Sequence, residues 1–148
     1  VEGKAIQWHW VPCVSVGPII FGEPVAPVIG KFDLQKLEKD YEDADWDTYE
    51  FPDCETRIYV DENGGIKEIG CFDNLYYQGQ NLFGLTLDEI RVLLGPEDEI
   101  GKIVLFDFPG NEFEKFPVEF ENFSAQFWFR EGVVESVMIG PCYDDDDQ

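Results

Sequence analysis

Apolar and polar positions fall into their clearest register over residues 80–96, QNLFGLTLDEIRVLLGP. Leu87, Ile90, Leu93 and Leu94 recur at helical spacing and share one face. Thr86 stands where a helix begins and Glu89 follows three residues on, which is a capping box. Gly95 and Pro96 end the run, the first free to turn and the second unable to continue a helix. The pattern predicts a short amphipathic helix pressed onto a sheet. A weaker copy precedes it: Phe21 and Gly22 line up with Phe83 and Gly84, and Val25, Val28 and Phe32 with Leu87, Ile90 and Leu94. That copy lacks the Thr and Glu of the box, and Pro24 and Pro27 make it short or irregular.

Alternation with a period of two follows each helix. Arg57 to Val60, a turn at residues 61–65 and a return at 66–72 read as a hairpin; Ala125 to Phe129, a turn at 130–132 and a return at 133–139 read as another. Residues 5–16 read as a strand with Ile6, Trp8 and Trp10 on one face, its end demoted by Pro12 to an edge or a break. Residues 100–108 read as a strand, and 113–123 as strand in part, cut by Pro117. The expected fold is therefore α+β: two tandem helix-plus-antiparallel-strand halves forming a sheet with helices packed on one face. Residues 1–142 are expected to make a single domain with an internal repeat over about 17–73 and 79–140, and 143–148 a disordered acidic tail.

Composition narrows what such a fold could do. The chain has 148 residues and is 16% aromatic, enough for a core and suited to strands. Asp and Glu number 32 against 10 Lys and Arg, a net charge of −22. So negative a surface argues against nucleic acid and anionic membranes as partners, and suits plain solubility and a basic partner equally. The opening VEGKAIQWHW does not read as a signal peptide, and no run is long enough to span a bilayer. Cys13, Cys54, Cys71 and Cys142 form no close pair, and one histidine cannot complete a usual zinc quartet. Four cysteines allow two disulfides; without a secretory signal, reduced thiols in a cytoplasm are expected.

Candidate binding residues gather in an acidic stretch, residues 38–55, where Lys39 is the sole cation. Glu38, Asp40, Tyr41, Glu42, Asp43, Asp45, Trp46, Asp47, Tyr49 and Glu50 interleave carboxylates with aromatic rings. Aromatic anchors ringed by charge have the composition of a protein-binding patch, and inward packing of the rings is the alternative. Chemistry is sparse. There is no phosphate-binding glycine loop and no nucleophile elbow, only His9 could serve a serine or cysteine, and DENGG at 61–65 lacks the alternate-position ligands of a calcium loop. No catalytic residue, metal site or cofactor is expected.

Two resemblances add to this reading. Residues 84–90, GLTLDEI, with Leu93, Leu94, Gly95 and Pro96, then Phe127, Trp128, Phe129 and Gly132, Val133, Val134, resemble the helix-plus-hairpin unit of the outer-membrane-lipoprotein and β-lactamase-inhibitor-like folds. Those folds use G-[ML]-[ST]-x-x-E-[VI] before L-G-x-P. In overall character the chain also resembles immunity proteins of bacterial contact-dependent and other polymorphic toxin systems. These resemblances imply an inhibitor that neutralises a basic protein toxin, a nuclease domain above all, through an acidic and aromatic surface. The alternative is a small hydrolase or ligand-binding domain that uses an aromatic cleft and paired carboxylates.

Overall fold

The structure, a computed structural model, describes residues 8–37, 47–52 and 54–142. Trp10–Val11 (β1), Ser15–Val16 (β2) and Ile19–Ile20 (β3) form a small meander, followed by helix Ala26–Phe32 (α1). Strands Gln35–Lys36 (β4), Asp47–Glu50 (β5), Arg57–Val60 (β6) and Ile66–Cys71 (β7) come next, then a hairpin of Tyr76–Tyr77 (β8) and Gln80–Asn81 (β9). Helix Leu87–Leu94 (α2) leads to Glu99–Ile100 (β10), Val104–Phe108 (β11), Asn111–Phe120 (β12), Ala125–Arg130 (β13) and Val133–Ile139 (β14). The main sheet runs β10-β12-β13-β14-β7-β6-β5-β4, with β11 also on β12, and its pairs are antiparallel. Among the described residues no helix is long and apolar enough to cross a membrane.

This overturns the expected α+β class with its tandem helix-plus-strand halves. The chain is largely antiparallel β. The two helices have 7 and 8 residues, about two turns each, too little to make a layer. No residue of α1 is fully buried, and Ile90 alone is in α2. Strand pairing of aromatic residues does the rest. β12 runs for ten residues straight through Pro117, where a break was expected. The carbonyl of Pro117 accepts from the Gly101 N–H at 2.7 Å. Its nitrogen therefore points to the same outer side, and the ladder to β13 loses no donor. A Cβ on Gly101 would lie 2.6 Å from the Pro117 ring, so only glycine fits there.

Each helix is tied to its following hairpin by a similar joint. Gly22 N–H donates to the Ile66 carbonyl and Ile66 N–H to the Glu23 carbonyl, both at 3.0 Å. Gly84 N–H donates to the Val134 carbonyl at 3.1 Å and Val134 N–H to the Leu85 carbonyl at 2.9 Å. Both glycines have φ +85°, a conformation that side-chain-bearing residues rarely adopt. α2 carries the predicted capping box: Thr86 N–H donates to Glu89 Oε1 at 3.0 Å and Glu89 N–H to Thr86 Oγ1 at 3.3 Å. Past its end, Arg91 grips Glu97 at 2.7 and 3.0 Å, and that hydrogen bonding holds the Glu97 carboxyl down at about 2.

One face of the sheet is the core. Ile58, Ile69, Phe127, Phe129, Val137 and Ile139 are fully buried on it. Trp8 and Trp10 of the N-terminal segment, Leu75 and Leu82 flanking the β8–β9 hairpin, and Ile90 of α2 close over it. Trp10 sits among Tyr77, Phe123 and Phe127 with ring centroids 5.5, 5.7 and 6.2 Å away. The long strand expected at residues 5–16 is instead folded back at residues 12–14, which lets Trp10 pair with Val16.

The thiols also depart from expectation. Cys13, in that turn, is joined by a disulfide to Cys142, just past β14, 129 positions away in sequence, with Cα atoms 4.7 Å apart. Cys54 and Cys71 are free, and burial pushes the Cys71 thiol far up. The expectation of reduced thiols thus fails for Cys13 and Cys142. No local spacing signals a bond between the two ends of a fold.

Candidate interaction face

Strand alternation puts every second side chain of the main sheet on the face turned away from the core. The registers align Glu50, Arg57 and Gly70, then Tyr59 and Glu68, on β5 to β7. They align Met138 with Gln126 and Glu119, and Lys115 with Arg130, on β14 to β12. Apart from buried Gly70, these residues are half-buried.

Their rings are held by charge. The Arg57 guanidinium meets Glu50 at 3.2 Å and lies 5.5 Å from the Phe72 ring centre. Gly70 leaves room beneath: a Cβ there would come within 3.0 Å of Met138 and Phe72 and 3.3 Å of Tyr59. Burial raises the Tyr59 hydroxyl above its ordinary value, with the Glu68 charge adding and Arg57 opposing. Trp128 donates its indole N–H to Gln126 Oε1 at 2.7 Å, and the Gln126 amide donates onward to Glu119 at 2.5 Å. Arg130 stacks 4.0 Å from the Phe113 ring centre, and Lys115 meets Glu135 at 2.6 Å. Aromatic surface fixed in one rotamer costs little ordering entropy on binding, which is what an anchor needs.

A hollow of about 380 Å³ opens on this face between Glu68, Glu119, Gln126, Met138 and Ser124. Burial raises the Glu68 carboxyl above its ordinary value. A carboxyl raised in the folded state disfavours folding once it ionises. The two states hold equal protons well below the unfolded value, and stability falls as pH climbs through the unfolded and then the folded value. Glu68→Gln is therefore expected to be more stable than the parent at neutral pH and equal to it in acid. Urea melts across that range check this, and a variant less stable at neutral pH would show that Glu68 has a compensating partner.

The sequence-predicted site is only partly in view. Glu38, Asp40, Tyr41, Glu42, Asp43, Asp45 and Trp46 lie outside the described residues. Asp47, Tyr49 and Glu50 form β5, one strand from the sheet's edge, and do not share a face. Asp47 and Tyr49 alternate onto the core side, where Asp47 pairs with Lys36 at 3.4 Å and Tyr49 packs against the core. Glu50 is on the outward side, tied to Arg57. Residues 61–65 shape a turn, because Asp61 Oδ1 accepts from the N–H groups of Asn63 and Gly65 at 2.9 and 3.0 Å and so closes the β6–β7 connection. The sequence reading did not single out Tyr59, Phe72, Trp128 and Arg130, which the sheet sets on its outward side. The signal was present in the polar half of each alternating strand, which carries aromatic rings where solvation alone would not call for them.

No protein-family profile matches the chain, and no curated protein matches it in sequence. Among solved structures, a DUF4309 family protein (YjgB) from Bacillus subtilis is similar over 80% of this chain and 78% of its own, at 16% identity and a TM-score of 0.46. That likeness is too distant to bear on function.

Proposed function

We propose that the protein is an inhibitor of the immunity type, which binds and neutralises a basic protein toxin, a nuclease domain before others. The observation that carries this reading is the outward sheet face, where guanidinium groups lie over Phe72 and Phe113, a hydrogen bond holds Trp128 and Tyr59 packs over Gly70, in a chain of net charge −22. An enzyme that handles phosphodiesters presents positive charge, and a carboxylate-rich surface competes for it. Long-range attraction speeds encounter and the rings slow release. The acids at positions 38–46, which lie outside the described residues, enter this reading through the net charge alone. In this reading the chain is not an enzyme, takes no cofactor and binds neither nucleic acid nor membrane. The Cys13–Cys142 bond supports an oxidising compartment over the cytoplasm, since such bonds are rare where thiols are kept reduced.

A second reading, a small hydrolase or ligand-binding domain with paired carboxylates, is favoured by Glu68 and Glu119 sharing one hollow. The two separate in one experiment. The purified chain is titrated into the cleavage assays of a panel of basic nuclease toxin domains, with Trp128→Ala in parallel. Stoichiometric loss of cleavage, weakened in the variant, is expected. Undiminished cleavage at molar excess sinks the inhibitor reading.

A further inference from the structure

We propose a second docking site at the free edge of β11, for an extended partner segment in which a large apolar residue is flanked by lysines or arginines. β12 pairs with β13 only over residues 115–120, while residues 111–115 pair with β11. The β11–β12 hairpin therefore projects past the body of the sheet. Among the described residues β11 has β12 as its one strand neighbour, so a row of backbone donors and acceptors faces outward.

Exposed edges are normally blunted with charge, proline or a bulge. This one carries a single charge, Asp107, and is otherwise apolar where it is exposed: Ile103, just before the strand, is 65% exposed, Leu105 60% and Val104 40%. Beside it lies a groove of about 530 Å³. Ile103, Leu105 and Phe116 supply its apolar surface, and Phe116 is stacked on the buried Phe129 with centroids 5.3 Å apart. Glu112, Glu114 and Glu131 supply three carboxylates against one cation, Arg130, which stacks on Phe113.

A strand added to an exposed edge is held by main-chain hydrogen bonds and selected by pockets for alternate side chains. Here the groove takes the apolar residue and the carboxylates take its basic neighbours. Charge decides against a second copy of this chain. Such a copy would bring Glu112 and Glu114 against themselves, with −22 on each side. The inference rests on the proposed function only for the sign of the partner's charge.

The probe is a blocked peptide of alternating lysine and valine with a central leucine, and its control has glutamate at each lysine. Amide shifts on titration are expected at residues 103–116. The lysine peptide is expected to bind at least about tenfold more tightly than the control. The deciding variant is Ile103→Asp with Leu105→Asp, both exposed and so compatible with folding. It adds negative charge, so loose adsorption of a cationic peptide would strengthen. Docking in the groove predicts weakening by about tenfold or more. Val92→Asp, which adds charge at an 85% exposed position of α2, is expected to keep parental affinity. Unchanged or tighter binding by the double variant, shifts confined to other residues, or self-association through this edge in sedimentation would each overturn the proposal. No toxin is present in this test, so its failure leaves the inhibition assay standing.

Discussion

Phe127→Ala is expected to destabilise the protein by about 3–5 kcal/mol. Phe127 is fully buried in the middle of β13, opposite Val118 on one side and Val137 on the other. Its ring meets Phe120 edge-on at 5.3 Å and lies 6.2 Å from the Trp10 ring. Both neighbouring strands are held in register, so the surroundings cannot close around a missing ring, and the void adds to the lost transfer energy. That loss is a large share of the ~5–15 kcal/mol that holds a typical domain together. Urea unfolding with an unchanged slope and a lower midpoint is the expected signature. A loss below ~1 kcal/mol would mean that the outer strands can shift inward.

Opening the Cys13–Cys142 bond is expected to cost up to about 5 kcal/mol, the chain-entropy value for a closed loop of this length. The two residues are 129 apart in sequence, so the bond restrains nearly the whole unfolded chain. It also fastens the β1–β2 turn, and with it Trp10, to the chain end that leaves β14. Cys13→Ser with Cys142→Ser isolates the effect without creating a lone thiol, and the same shift is expected when the parent is melted under reductant. Equal midpoints with and without reductant would falsify the idea that this bond restrains the unfolded state.

Local signals were legible where the physics is local. The capping box at Thr86 and Glu89, the stop at Gly95 and the hairpins on either side of Gly64 and Gly132 depend on a few consecutive residues, and each is in place. The class was misread because helix signals say where a helix starts and not how little it covers. Pro117 was misread because its tolerance depends on Gly101, sixteen positions away on a partner chosen by the fold. The pairing of β14 with β7 joins residues 137–139 to 69–71, and no periodicity within either strand encodes it. The outward aromatic face went unread for a related reason. Charge density drew attention to residues 38–50, whereas Trp128 and Tyr59 look like ordinary strand residues until the sheet sets them on one side.

The bond between Cys13 and Cys142 also decides how the protein meets mechanical load. Tension applied through the residues outside positions 13 and 142 runs from one sulfur to the other and never enters the ladders of the main sheet. A machine that threads polypeptides through a narrow ring would meet two segments side by side and stall until a thiolate attacked the bond. Once Trp8 and Trp10 have been drawn off the core, resistance to pulling is set by one covalent link and its redox surroundings, whatever the strength of the sheet behind it.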